Sequence, residues 1–210
     1  MSKDNAPHTQ GETQQDTHHE HKESHGVMGW VNENKGFVSL MTAMGIALLI
    51  KFFILSPYGI PSPSMVPTLN VGDVAVANKL DDEPERGDII IFKGNDVWGS
   101  DKDYIKRVIG VPGDTVGGCT PDGSLMVNGE PLWEDYLQDD SGCNFPTITV
   151  PDNTVWVMGD NRGNSADSRY HSIDATNGTF STKGAVPMDS IIGTMQFSYR
   201  PLFGMGTVFF

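Results

Sequence analysis

The sequence has few basic residues and only two cysteines, and both features restrict the functions it can have. Its 210 residues carry 14 lysines and arginines against 27 aspartates and glutamates, a formal net charge of −13. Nucleic acid binding needs clustered lysine and arginine, so this composition argues against a nucleic acid partner. The length suffices for one domain with its own core and an appendage.

Large apolar residues are missing from the start of the chain. Residues 2–26 contain one alanine and no valine, leucine, isoleucine, methionine, cysteine or aromatic residue. Because such a segment cannot offset the entropy of ordering, we predict that residues 1–36 form a disordered, polar, His-rich tail. Five of the six histidines lie there. A solvated tail is favoured over a metal-binding tract, since no folded scaffold fixes a ligand geometry.

A long apolar run follows the tail. Residues 37–55 read FVSLMTAMGIALLIKFFIL, with Lys51 as the one charge. About twenty apolar residues span a bilayer, so we predict a single transmembrane helix over residues 37–56. A buried helix and a signal sequence are the alternatives. A cleaved signal peptide would have a shorter apolar run nearer the start of the chain and a small-residue cleavage site.

Residues 57–210 alternate between β-branched runs and turn signals and contain no long amphipathic helix. Asn128-Gly129 is a strong signal for a hairpin turn. We therefore predict an all-β domain, with turns spaced as in a sandwich or barrel. The candidate strands lie around residues 71–76, 89–92, 104–111, 124–127, 148–150, 154–158 and 190–199.

Cys119 and Cys143 are the only cysteines, and both lie in this β domain. A domain outside the cytoplasm would favour a disulfide between them. Two unrelated buried thiols are the alternative.

Ser64 lies in the segment Pro61-Ser62-Pro63-Ser64-Met65-Val66-Pro67, just after the apolar run. Proline fixes the backbone around its neighbours, as a nucleophilic serine requires, although a proline-rich linker would read the same way. The serine would need a base. One candidate is His171, the single histidine of the β domain, with Asp174 in a triad.

A lysine is the other candidate base, provided that burial keeps it neutral. Lys106 lies within the strand-like run from Tyr104 to Ile109 and by alternation shares a face with Tyr104 and Val108. A solvated strand face is the ordinary setting for such a lysine, and Arg107 puts a second cation on the opposite face. The polar segment at residues 159–170 lacks the ligand spacing of a calcium loop and is better interpreted as a network of turns.

Four blocks occur in order after the apolar run: PSPSMVPTL, RGDIIIF, YIKRVIGVPGD and GDNRGNSADSRY. With the anchor, residues 37–195 closely resemble the bacterial type I signal peptidase (leader peptidase) family. The resemblance implies a membrane-anchored Ser/Lys serine endopeptidase with a signal-peptidase/LexA-like β fold and no cofactor. It would cleave signal peptides from exported preproteins after small residues, in an Ala-x-Ala pattern.

The resemblance also implies roles for individual residues. Ser64 would be the nucleophile and Lys106 the general base, with the Ser62 hydroxyl in the oxyanion hole. Ser165 would hold the lysine amine, and Asp167 and Arg169 would form a supporting ion pair. The shallow substrate pockets would fall to Tyr58, Ile60, Met65 and Ile105.

The same resemblance predicts a single-pass protein of the bacterial cytoplasmic membrane, near the secretion translocon. The catalytic domain, residues 57–210, would lie on the extracytoplasmic side and the tail in the cytoplasm. Pro63 and the extra stretch at residues 171–185 depart from the family pattern. Two other interpretations are a specialised Ser/Lys protease for one exported partner, such as a pilus or conjugation protein, and a β domain that only binds exported proteins.

Overall fold

The computed structural model describes residues 27–81 and 83–201. The chain divides into two compact units, one ending at Met44 and the other beginning at Gly45. The predicted disorder and histidine tract at residues 2–26 lie outside the described residues.

Two helices precede the β domain: α1 at Val27–Glu33 and α2 at Lys35–Phe53. Helix α1 lies inside the segment that the sequence predicts to be a disordered tail, because apolar residues return to the chain from Val27 onward. Within the described residues, no single helix passes a length-and-hydropathy test for crossing a membrane. The α1–α2 pair, bent by 95° at its break, passes it jointly on length and composition.

The β domain begins earlier than predicted. Strand β1, Leu55–Gly59, includes two residues that the sequence places in the helix. It pairs in antiparallel register with β2, Val74–Asn78, so Leu55 faces Asn78. This pairing partner is distant in sequence, which explains why local hydropathy extended the helix through it.

Most of the strands that follow overlap a candidate strand, but those at residues 115–119, 130–131 and 186–187 were not predicted. In chain order, the strands are β3 (Ile89–Lys93), β4 (Asp103–Gly110), β5 (Thr115–Cys119), β6 (Leu125–Val127), β7 (Glu130–Pro131), β8 (Ile148–Thr149), β9 (Thr154–Met158), β10 (Val186–Pro187) and β11 (Ile191–Tyr199). Two short helices, α3 (Gly94–Trp98) and α4 (Ser168–His171), lie between them. The mostly β prediction is confirmed.

These strands form two antiparallel sheets in the described part of the chain. The larger has the order β1-β2-β11-β3-β4-β9-β10, and the smaller has the order β7-β6-β5-β8. The predicted hairpin is present between β6 and β7, where Asn128 and Gly129 both have positive φ, 54° and 80°. That backbone conformation is the one an Asn-Gly turn favours.

Strand β4 is central to the larger sheet and pairs with β3 and β9. Apolar clusters pack against it on both faces. Ile105 belongs to a cluster with Ile60 and Met65, whereas Val108 and Tyr104 pack with Phe92. Cys119 and Cys143 form a disulfide with Cα atoms 5.2 Å apart, as the sequence favoured.

Candidate active site

Ser64 lies in a short 3₁₀ turn, Pro63–Met65, that follows β1. Pro63 at the first helical position fixes φ, and the Val66 N–H closes the turn by donating to Pro63 O at 3.1 Å. The residue is 7% exposed. The prolines therefore produce a rigid turn, in which the hydroxyl is held at the edge of the core.

Lys106 projects from β4 and is 3% exposed. Its Nζ donates to Ser64 Oγ at 2.8 Å and to Ile105 O at 3.0 Å. Burial lowers the pKa of Lys106 to about 8, and the negative charges of Asp167 and Asp160 oppose that change. The amine is thus both next to the serine and easier to deprotonate than an ordinary lysine.

Two other serines lie near Ser64. Ser62 Oγ is 3.4 Å from Ser64 Oγ, at the limit of a hydrogen bond. Ser165 lies beside the Ser64 backbone, because a Cβ at Gly159 would collide with both Ser165 Oγ and Ser64 O. Ser165 Oγ is buried and has no hydrogen-bond partner among the described residues. No bond from Ser165 to Lys106 is seen there, although the sequence predicts one.

Asp167 and Arg169 form a two-pronged ion pair. Arg169 Nε donates to Asp167 Oδ1 at 2.9 Å and Nη2 donates to Oδ2 at 2.8 Å. Asp167 is fully buried and also accepts from the Gly159 N–H at 3.0 Å. The pair therefore fixes the turn that carries Ser165.

The residues predicted to form the substrate pockets share one apolar cluster. Tyr58 packs against it, and the other three are among its buried members: Ile60, Met65 and Ile105. Met65 itself belongs to the Ser64 turn, so this cluster lies directly beside Ser64. A cavity of about 700 Å³ lies elsewhere, under residues 119–144, and neither Ser64 nor Lys106 lines it.

The structure also shows contacts that the sequence reasoning missed. Asn161 donates from its backbone N–H to Ser64 O at 3.0 Å and from Nδ2 to Pro63 O at 3.1 Å. Asn161 therefore pins the serine turn from a segment nearly a hundred residues away. Its place in the block GDNRGNSADSRY was the available signal.

Arg107, which complicated the sequence interpretation, has a partner. It donates to both oxygens of Asp160, at 2.8 and 2.6 Å, and Asp160 also accepts from Thr68 Oγ1 at 2.5 Å. The cation opposite Lys106 is thereby neutralised. The pair ties β4, the segment after the serine turn and the polar block together.

His171 is not bonded to the serine. Its ring stacks on Trp98 with centroids 4.1 Å apart, and its Nε2 is buried without a hydrogen-bond partner among the described residues. Burial lowers the pKa of His171. Lys106, and not His171, is the basic group within hydrogen-bonding distance of Ser64.

No group of three or more histidine, cysteine, aspartate or glutamate side chains in the described part of the chain could hold a metal ion. The chemistry of the arrangement is that of a hydroxyl beside a buried amine. Such a pair can move a proton off the serine as the hydroxyl attacks an electrophile.

Comparison with known proteins gives the class and the family. A family model described as signal peptidase, peptidase S26, matches residues 34–200. A probable signal peptidase I-1 from Synechocystis sp. is 40% identical over 170 residues, covering 77% of this chain and 80% of its own. Signal peptidase I S from Bacillus subtilis is 37% identical over 177 residues, covering 78% and 86%. A solved signal peptidase I structure from Enterococcus faecalis is 32% identical, covers 53% of this chain and 96% of its own, and has a TM-score of 0.41.

The protein is therefore a hydrolase, and among hydrolases a serine peptidase. It belongs to the signal peptidase, peptidase S26 family.

Proposed function

We propose that this peptidase removes N-terminal signal peptides from exported preproteins, with Ser64 as nucleophile and Lys106 as general base. The observation that carries the proposal is the 2.8 Å contact between Lys106 Nζ and Ser64 Oγ in a buried setting. When the amine is neutral, the hydroxyl donates along the same line and can pass its proton to Nζ. Both a short contact and a lowered pKa are required of a lysine base.

The reaction proceeds by acyl transfer. Ser64 Oγ attacks the carbonyl carbon of the scissile bond while its proton moves to Lys106 Nζ, giving a tetrahedral oxyanion. Collapse of this intermediate breaks the C–N bond, and Lys106 returns the proton to the leaving amine. Water then attacks the ester with Lys106 as base again, which releases the signal peptide and restores Ser64.

The oxyanion needs donors that are in position before the reaction. Ser62 Oγ, 3.4 Å from Ser64 Oγ, is close enough to contribute one, together with the Ser64 N–H. Loss of one such donor typically lowers the rate about 10²–10³-fold. Ser165, whose buried hydroxyl lies beside the serine turn and has no hydrogen-bond partner within residues 27–81 and 83–201, is available to orient the Lys106 amine. The Asp167–Arg169 ion pair fixes the turn that carries Ser165.

The side chains before the cleaved bond would be read by the cluster around Tyr58, Ile60, Met65 and Ile105. Three of these four side chains are almost fully buried, so they offer little open surface to a substrate side chain. Small substrate residues such as alanine, in an Ala-x-Ala pattern, fit such a surface. A large side chain would have to displace the core that also holds the Ser64 turn.

The apolar segment at residues 37–56 would anchor the enzyme in the bacterial cytoplasmic membrane, once across, with the β domain outside. Helix α2 supports this proposal because large apolar side chains along it, among them Phe37, Leu40 and Leu48, are exposed, as in a helix that faces lipid. An enzyme held there meets preproteins whose own apolar segments lie in the same bilayer as they leave the translocon.

The test is cleavage of a preprotein with an Ala-x-Ala site by the detergent-solubilised full chain. Ser64→Ala and Lys106→Ala should each lower kcat at least about a thousandfold, as for loss of a nucleophile or its base. Lys102→Ala removes an exposed lysine just before β4 and should cleave normally. An active Lys106→Ala variant would reject the proposed base and redirect the search to His171. Cleavage of a single exported protein among many offered would favour the specialised protease instead.

A further inference from the structure

An aromatic ledge runs outward from the reactive amine. We use this name for the four rings of Trp98, Tyr104, Tyr170 and His171. Lys106 Nζ lies 5.7 Å from the Tyr104 ring centroid, and the Tyr104 and Trp98 centroids are 4.8 Å apart. Trp98 stacks on His171 at 4.1 Å, and His171 meets the edge of Tyr170 at 5.2 Å. The contacts are continuous from the amine to the surface.

Two segments meet to build the ledge. Helix α3 carries Trp98, and a side chain at Gly94 would collide with Tyr104, so the helix lies flush against that ring. Tyr170 and His171, the latter at the start of the stretch at residues 171–185, supply the other part. Trp98 Nε1 donates to Gly184 O at 3.2 Å, which fastens α3 to that stretch.

The outer end of the ledge is open to solvent. Tyr170 is 65% exposed, and the nearby Ile173 is 53% exposed. Burial lowers the pKa of His171, which favours the uncharged ring. Exposed aromatic surface that continues into a reactive site is typical of a binding surface.

The faces of β4 show which part of a substrate the ledge would meet. Ile105 points to the cluster proposed to read residues before the cleaved bond. Tyr104 and Lys106 lie on the opposite face by strand alternation, and Tyr104 and Trp98 pack with Phe92. The first cluster and the ledge thus lie on opposite faces of β4, on either side of the strand that carries Lys106 to Ser64.

We propose that the aromatic ledge binds the substrate residues that follow the cleaved bond and favours large apolar or aromatic side chains there. This inference rests on the proposed function. From Lys106 Nζ to Trp98 the path over the rings is about 10 Å, roughly three residues of extended chain. The stacked pair of Trp98 and His171 would thus contact the second and third residues of the released product.

The test uses two peptides with the same Ala-x-Ala site, one with phenylalanine and one with glycine at the second and third positions after the bond. The wild-type enzyme should show kcat/KM about five- to tenfold higher for the phenylalanine peptide, the range expected of aromatic contacts. Trp98→Leu combined with His171→Ala should bring the ratio close to one, because these are the two rings proposed to contact the second and third residues. Tyr170→Phe, which keeps the ring, should preserve the ratio.

Trp133→Ala is the matched control, because Trp133 is an 86% exposed aromatic residue outside the ledge. Its ratio should equal that of the wild type. A wild-type ratio near one, or a ratio that survives the double substitution, would overturn the ledge while cleavage itself continued. Failure of the wild type to cleave either peptide would instead overturn the proposed function, and the ledge with it.

Discussion

At the scale of the residue, Lys106 is held between opposing influences. Burial lowers the pKa of Lys106, and the carboxylates of Asp160 and Asp167 raise it. Each carboxylate has its own arginine, Arg107 for Asp160 and Arg169 for Asp167. These ion pairs limit the field that reaches the amine, so burial is the dominant effect. With a pKa of about 8, about one amine in ten is neutral at pH 7.

The pH dependence of kcat/KM should therefore show an acid limb that reports this amine. Below about pH 8 the rate should rise close to tenfold per pH unit, and above it the rate should level off, since the base must be unprotonated. Asp160→Asn removes one charge that raises the pKa, so the inflection should move to lower pH. Asp152→Asn, at an exposed position, is the control and should leave it in place. An inflection that moves up in Asp160→Asn would contradict this account.

The free energy of unfolding should also depend on pH through the lowered pKa of Lys106. The folded-state pKa of Lys106 lies below the ordinary 10.5, so the folded state disfavours the protonated amine. This destabilisation is fully present below about pH 8 and is relieved as pH rises toward 10.5. Lys106→Met should raise the free energy of unfolding by about 2 kcal/mol at pH 7, with a smaller gain at pH 10. Urea unfolding at the two pH values measures it, and a gain independent of pH would rule out the charge as its cause.

At the scale of the element, the loop from Glu134 to Gly142 holds the arginines around the site. Tyr136 lies under Arg107, with its ring centroid 3.9 Å from Cζ. Arg162 donates to the Glu134 carboxylate and to Ser141 O, and Arg169 Nη1 donates to Gly142 O at 3.3 Å. The loop ends at Cys143, where the disulfide to Cys119 closes it. A segment outside the four family blocks thus supports two of them.

Opening the disulfide should therefore affect both stability and rate. Replacing Cys119 and Cys143 together by serine should lower the free energy of unfolding by about 3 kcal/mol, the amount expected for a loop of this length. It should also lower kcat at temperatures where the fold persists, because the loop no longer fixes Arg162 and Arg169. Reducing the disulfide of the wild type should reproduce both effects. The same reductant should change neither the stability nor the kcat of the serine variant. Unchanged kcat in the variant would separate the loop from the site.

Local patterns predicted most strands but missed β1, β5, β7 and β10, and they predicted the site only in part. The hairpin at Asn128-Gly129 and the shared face of Tyr104 and Lys106 follow from turn chemistry and from strand alternation. Strand β1 was missed because its partner β2 supplies the hydrogen bonds from about twenty residues away. Asn161 and the loop at residues 134–142 were missed for the same reason, since no local pattern encodes contacts over such separations. The individual roles came from the family resemblance.

At the scale of the whole molecule, charge and apolar surface lie in different parts of the chain. Residues 108–161 contain no lysine, arginine or histidine, so this stretch offers no cation to an anionic lipid headgroup. Helix α2, in contrast, exposes large apolar side chains, among them Phe37, Leu40 and Leu48. Because the whole chain also has a net charge of −13, we expect the apolar segment rather than electrostatic attraction to provide the membrane affinity. Membrane binding should therefore depend on the presence of the apolar segment and depend little on the salt concentration.

Three chains test where the membrane affinity lies. The full chain and a variant lacking residues 2–26 should both sediment with lipid vesicles, in low and in high salt, because burial of apolar surface is not screened. A chain that begins at Ile54 keeps β1 and the bond from Lys79 N–H to Ile54 O, so the β domain should fold. It should stay in the supernatant and cleave a short soluble peptide within about threefold of the full chain's kcat, since no group proposed for the chemistry is removed. If the shortened chain sediments with vesicles, either in both salt conditions or in low salt alone, the membrane affinity belongs to the β domain instead.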